Sequence, residues 1–129
     1  MRDCGSVEAV VETALSAYGR IDVVFHTATV MAYGRIEDVP AEIFEAVVDT
    51  AVHGTANIAR TVLPVFRPQR HRVFVIINSL VGEIAAPLMG SYAAGKWAQF
   101  GLVCVLQLET RNARFVTTNS PPGVATQST

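Results

Sequence analysis

The sequence predicts an α/β fold, a doubly wound sheet of about three parallel strands with three main helices. Three observations predict it. Segments with helical spacing and short apolar runs alternate from end to end. The apolar runs are nearly free of polar residues, as in strands covered on both faces. Helices of this length between strands imply right-handed crossovers, and therefore parallel neighbours.

Ser6 is placed to cap a first helix, whose apolar positions Val7, Val10, Val11, Ala14 and Leu15 recur at helical spacing. Gly19 is placed to stop it. The run 21–25, with Asp22 its one charge, reads as a buried strand, and 27–38 as a loop. Asp38 suits a helix cap and Pro40 a first turn, so a second helix is expected over 40–63, with Ile43, Val47, Val48, Ile58 and Val62 apolar. Gly54 inside it costs about 1 kcal/mol relative to alanine and leaves room for a close neighbour. Arg67, Arg70 and Arg72 follow Pro64 and read as a solvated helix end, where cations are favoured, rather than as a nucleotide site. The run 73–77 is a second strand. A third helix carries Tyr92 and Lys96 and continues to about Glu109, and 115–118 is a third strand. Residues 119–129 read as loop, because Pro121, Pro122 and Gly123 break regular structure.

Composition narrows the function. A chain of 129 residues is expected to form one domain over 1–129 with a real core, and with half its residues hydrophobic it is not disordered. A net charge of −1 gives no basic excess for nucleic acid. The apolar runs of four to six residues are too short to cross a bilayer, and the start lacks a signal-peptide core, so no membrane association and a cytoplasmic setting are expected. Cys4 and Cys104 make no disulfide framework, and His26, His53 and His71 are scattered, so no metal site is read and the histidines are taken as structural.

The chemistry lies near the third helix. Lys96 is the only lysine and follows Tyr92 by four residues, so the two share a helix face. An ammonium there can lower the acidity constant of a phenol, normally about 10, and so make it a proton donor or acceptor for a carbonyl–alcohol interconversion. A surface aromatic–cation pair would show the same spacing. Ser79 lies thirteen residues before Tyr92, at the carboxyl end of the second strand. His26 and Thr27 lie at the corresponding end of the first strand, and 119–126 at that of the third. Ligands of doubly wound sheets bind beyond those ends.

Ser79, Tyr92 and Lys96, with the segment Ser91-Tyr92-Ala93-Ala94-Gly95-Lys96, resemble the short-chain dehydrogenases/reductases. The likeness covers essentially the whole chain. Gly19-Arg20-Ile21-Asp22 resembles the lead into the family's fourth strand, Val48 to Gly54 its fourth helix, and Val124-Ala125-Thr126 the segment after its sixth strand. The resemblance implies a Rossmann-type sheet, of which this chain corresponds to the second half, and hydride transfer between NAD or NADP and a small-molecule carbonyl or alcohol. It implies that Tyr92 is the acid/base, that Lys96 lowers its acidity constant and holds the cofactor ribose, and that Ser79 binds the substrate oxygen. Thr27, Ala28, Tyr92, Lys96, Val124 and Thr126 would then touch the cofactor.

The chain also departs from that pattern. Its nine glycines form no phosphate-binding fingerprint of the kind that seats a pyrophosphate on a helix amino end. His26-Thr27-Ala28-Thr29 stands where the family has Asn-Asn-Ala-Gly, and Ala51 where it has an asparagine that serves a proton relay. Asn57 cannot replace that asparagine, because six residues at about 100° each carry it roughly 240° around the helix. Pro122 stands where a glycine is usual and removes a backbone donor. Impaired cofactor binding by this chain alone is therefore expected. In the family fold the strand 21–25 has a further strand beside it that this chain lacks. An open apolar edge at Val23, Val24 and Phe25 is expected to drive self-association, as are the helices over 40–63 and 92–109, where Trp97, Phe100 and Val103 offer apolar surface or core. A non-catalytic binding or oligomerising module derived from the same family is the alternative reading. A serine hydrolase is disfavoured by the lack of a Gly-x-Ser-x-Gly elbow.

Overall fold

The computed structural model describes residues 4–69, 72–110, 113–118 and 125–126. Helix α1 (Cys4–Tyr18) leads to strand β1 (Val23–His26), α2 (Ala41–Phe66), β2 (Arg72–Ile77), a short 3-10 helix (Leu80–Gly82), α3 (Gly90–Glu109), β3 (Ala113–Thr118) and β4 (Ala125–Thr126). The sheet order is β1-β2-β3-β4. The first three strands are parallel, with Val24 opposite Phe74 and Phe74 opposite Phe115. This is the expected parallel α/β sheet. The fourth strand differs from expectation: it pairs antiparallel with β3 inside a segment read as loop. Proline breaks helices and central strands, but a two-residue edge pairing tolerates the breakers that precede it in the sequence.

Helix boundaries were legible to within a few residues, and the N-terminal caps were not. Ser6 lies inside α1 rather than ahead of it. Gly19 ends α1 as expected: at φ 71 it takes the left-handed conformation that glycine adopts freely, and its N–H donates to the Leu15 carbonyl at 2.7 Å. Asp38 does not cap α2. It belongs to a turn in which its N–H donates to the Arg35 carbonyl, and Pro40 takes the N-cap position instead. At the other end α2 runs through Pro64 to Phe66. A proline in the last turn forfeits only the bond to the carbonyl four residues back, and Phe66, fully buried, holds that turn down.

One contiguous core joins the three helices to one face of the sheet: Val7 and Val11 of α1, Ile58 and Val62 of α2, Val103 and Leu106 of α3 meet Phe74, Ile76 and Phe115. The rings of Phe74 and Phe115 lie 5.5 Å apart, tilted. Strand residues alternate between faces. Val24 and His26 therefore share the face of Phe74 and Ile76, and Val23 and Phe25 take the opposite one. The expectation of a buried first strand fails on that side, where Phe25 is 67% exposed. Ile43 and Val10, named for their helical spacing, are exposed as well, whereas Val103 is core and Trp97 remains exposed.

Two contacts set the frame. Arg72 opens β2 buried rather than solvated, and its guanidinium donates to the Asp22 carboxylate and the Gln69 side-chain Oε1. Arg67 is exposed beyond α2, as expected, and Arg70 lies outside the described residues. Where α2 and α3 cross, a Cβ on Gly95 would lie 3.1 Å from the Ala51 methyl and 3.6 Å from the Val47 carbonyl oxygen, so the two backbones meet there without a side chain from α3.

Phe66→Ala is expected to cost about 3–5 kcal/mol of stability, because the last turn of α2 is held by that ring against the helix-breaking Pro64. Urea unfolding followed by far-ultraviolet circular dichroism checks it, and a loss under about 1 kcal/mol would show that the turn stands without the ring.

Candidate active site

The carboxyl ends of β1 and β2 lie side by side, with His26 opposite Ile76. Asn78, buried, and Ser79 follow β2 directly. Ser79 caps the 3-10 helix: its Oγ accepts from the Val81 N–H at 3.4 Å. That helix packs against α3, so the chain leaving β2 borders the helix that carries Tyr92 and Lys96. The start of α3 is fixed from the other side. Leu88 takes φ 63, unusual for a branched side chain, and its carbonyl accepts from the Gly34 N–H at 2.9 Å, joining the loop after β1 to the residues before α3.

The helix spacing does what the sequence requires of it. Tyr92 and Lys96 are both buried, and the Lys96 Nζ lies 5.8 Å from the Tyr92 ring centroid. Lys96 is only 2% exposed. Its ammonium donates to the Ile77 carbonyl at 2.8 Å and to the Gln99 Oε1 at 3.0 Å. Burial pulls its pKa from 10.5 to about 8. An ammonium carries three N–H donors, and these two bonds use two.

Behind the lysine lies a polar cluster that sequence reasoning did not find. The Gln99 Nε2 donates to the Thr55 Oγ1 at 2.7 Å, and the Thr55 hydroxyl donates to the Ala51 carbonyl at 2.6 Å. The His26 Nε2 lies 2.9 Å from the same Thr55 oxygen. His26, Thr55 and Gln99 are all fully buried. Burial, helped by the Lys96 charge, lowers the His26 pKa from 6.5 to about 4, so its imidazole is neutral at neutral pH. Gln99 could have been noticed, because it lies on the helix face of Tyr92, Lys96, Val103 and Leu106, where a glutamine marks a buried polar group. Its pairing with Thr55 leaves no trace in sequence spacing.

The other expected positions divide. Thr27 is exposed and Ala28 half-buried, immediately beyond β1. Val124 lies outside the described residues. Thr126 forms part of β4, with its backbone opposite Thr117. Asn57 is buried and faces away from this cluster, toward Arg60, whose Nη1 donates to its Oδ1 at 3.4 Å.

The family model described as short chain dehydrogenase matches residues 1–129. The chain belongs to the short-chain dehydrogenase family. It is 32% identical over 123 residues to an NADPH-dependent pterin aldehyde reductase of Arabidopsis thaliana, a match covering 95% of this chain and 51% of that protein. It is 31% identical over 125 residues to the oxidoreductase BOA17 of Botryotinia fuckeliana, covering 96% of this chain and 46% of the relative. The chain thus spans about half the length of these curated relatives. Among solved structures it resembles a short-chain dehydrogenase/reductase from Burkholderia phymatum in complex with NAD, with a TM-score of 0.87 and 25% identity over 92% of this chain and 44% of the other. An alcohol dehydrogenase from the archaeon Thermococcus sibiricus, complexed with 5-hydroxy-NADP, gives a TM-score of 0.85 at 25% identity, over 90% of this chain and 49% of that one. The short-chain dehydrogenase fold is therefore the fold of this chain, and no helix among its described residues is long and apolar enough to cross a membrane.

The buried imidazole gives the chain an acid-sensitive stability. Folding lowers the His26 pKa, so between pH 6.5 and about 4 the unfolded chain binds more protons than the folded one. Stability should fall as pH drops through that window, by about 3 kcal/mol for a shift of this size. Urea midpoints measured from about pH 7 to about pH 4 read the loss, and His26→Asn should flatten it. An unchanged slope in the variant would assign the acid sensitivity to other groups.

Proposed function

We propose that this chain carries the catalytic half of a short-chain oxidoreductase that moves a hydride between NAD or NADP and a small-molecule carbonyl or alcohol. The observation that carries the reading is Lys96: a buried ammonium beside the Tyr92 ring, at the carboxyl ends of β1 and β2, with one N–H uncommitted to the two bonds described. Tyr92 is the acid/base and exchanges a proton with the substrate oxygen. Lys96 holds the ribose next to the reacting ring through its remaining N–H and keeps positive charge near the phenol. Ser79 donates to the substrate oxygen and orients it. When bound, the nicotinamide supplies or accepts the hydride, so the protein has to place and polarise.

The residues present fit one end of the dinucleotide. Lys96 and Tyr92 offer donors for the nicotinamide ribose, with Thr27 and Ala28 on the loop that leaves β1 and Val124 and Thr126 on the segment after β3. The pyrophosphate finds no glycine-rich turn within these 129 residues. Cofactor binding by this chain alone is therefore impaired. Both cysteines are free thiols, which suits a reducing, cytoplasmic setting.

A second reading, a non-catalytic binding or oligomerising module, is favoured by one observation. Along the open edge of β1 runs an apolar groove of about 380 Å³, lined by Val7, Val10 and Val11 of α1, Val23 and Phe25 of β1 and Ile58 of α2. Unpaired strand edges with exposed apolar side chains recruit further strands, and a second copy of the chain would serve. The exposed Trp97 on α3 offers a further contact for self-association.

Fluorescence titration with NADH and NADPH separates the two readings. Saturable binding on the order of millimolar, lost in Lys96→Ala, supports the oxidoreductase, and no saturation in that range supports the module. Tyr92→Phe should lower any carbonyl-reducing turnover by roughly 10²–10⁴-fold, and retained turnover would remove Tyr92 from its role. Self-association is read by sedimentation at micromolar concentration. The chain should run above its 13.9 kDa monomer mass, and Phe25→Lys, which places a charge on the edge, should return it toward monomer.

A further inference from the structure

We propose that Gln99 is a positioning residue for Lys96: its carboxamide, anchored on Thr55 of α2, fixes the ammonium at the end of β2. The inference rests on the oxidoreductase reading of Lys96 and deepens it.

The hydrogen inventory fixes the direction of every bond. A threonine hydroxyl has one hydrogen. That hydrogen goes to the Ala51 carbonyl at 2.6 Å. The Thr55 oxygen can then only accept, from the Gln99 Nε2 at 2.7 Å and from the His26 Nε2 at 2.9 Å. The Gln99 amide nitrogen therefore faces Thr55, and its oxygen must face Lys96. The usual ambiguity between amide oxygen and nitrogen is settled by the partner's single proton. The same count puts the His26 proton on Nε2 and leaves a lone pair on Nδ1, which has no partner among the described residues.

The bonds all run one way: Lys96 to Gln99, Gln99 to Thr55, Thr55 to Ala51. A carboxamide in such a chain accepts at one end and donates at the other without passing a proton on, so it orients the ammonium rather than relaying protons. It also makes burial tolerable. A buried ammonium needs acceptors, and this one has the Ile77 carbonyl and the Gln99 oxygen. Among the described residues, the groups bonded to it carry no counter-charge. The titratable groups near it are Tyr92 on its own helix and His26 on β1, whose pKa the Lys96 charge lowers. Helix α2 presents the uncharged Thr55 and the Ala51 carbonyl, and β2 presents the Ile77 carbonyl. The Gln99 oxygen is thus one of two neutral groups that set how firmly Lys96 keeps its proton.

Because Lys96 is the only lysine, a chain grown with lysine labelled at Cε gives one lysine resonance, and its titration reads the ammonium directly. The wild-type midpoint should lie near 8. Gln99→Glu keeps the shape and adds a charge, and should raise the midpoint by about one unit or more. Gln99→Leu removes the acceptor and should lower it by about one unit. Thr55→Val, which frees the amide from its anchor, should move it in the same direction as Gln99→Leu and by less. Midpoints of Gln99→Glu within about 0.3 unit of wild type, in a chain with unchanged circular dichroism, would overturn the proposal. If Gln99→Leu fails to fold, Gln99→Glu decides alone. The titration needs neither cofactor nor turnover. A failed cofactor titration with a responsive Lys96 removes the oxidoreductase reading only, and saturable cofactor binding with an unresponsive Lys96 removes this one.

Discussion

Among the described residues, one buried ammonium held by neutral oxygens governs this structure. Lys96 sits where two parallel strands end, and neutral oxygens from two elements hold it: a backbone carbonyl of β2 and a side-chain carbonyl of α3. Neutral acceptors satisfy an ammonium's hydrogen-bonding need without cancelling its charge. The charge therefore remains available to whatever binds beside it, and burial has already weakened its hold on its proton. A carboxylate in the same place would have made a stable ion pair and a less responsive lysine. The neighbouring imidazole shows the other side of that arrangement. His26 shares Thr55 with the lysine's partner and has to stay neutral beside the charge.

The sheet explains why the site is assembled on one side and the rest of the surface is left bare. All three helices reach the core on the face of Phe74 and Ile76. Tyr92, Lys96 and the Gln99 cluster belong to the α2–α3 layer, so their placement depends on contacts contained within this chain. Along the β1 edge, by contrast, Phe25 and Val10 are exposed at 67% and 69%. The candidate-site half and the open half of the surface are thus consequences of one distribution of helices. The oxidoreductase and module readings follow from different parts of the same fold.

The legible part of the sequence was the part governed by local spacing. Tyr92 and Lys96 could be paired because four residues make a helix turn, and Ser79 could be placed because it follows an apolar run. Gly19 could be assigned because a left-handed terminus suits glycine. What could not be read depends on how elements cross. Thr55 and Gln99 lie 44 residues apart and meet only because α2 and α3 pack closely. Ile43 and Val10 have the right period for core and yet are exposed, since periodicity gives a face and not what covers it. Arg72 looked like one of three solvated cations. Its partner Asp22 is 50 residues earlier, brought alongside by parallel pairing of β1 and β2. The pairing of β4 escaped notice because two residues carry no period at all.

Positions 51, 95 and 99 belong together. The Ala51 methyl lies against Gly95, where α3 has no side chain. The two helices approach closely at this point, which leaves little room between them for a longer group at position 51. One turn further along α3, Gln99 crosses the gap in the other direction, its Nε2 reaching Thr55 at 2.7 Å and the Ala51 carbonyl at 3.4 Å. The small residues at 51 and 95 bring the helices together, and the glutamine at 99 uses that proximity to reach both Thr55 and Lys96. A longer side chain at position 51 would have to enter the space that Gly95 leaves for a methyl, and would crowd the crossing on which the Gln99 bonds depend.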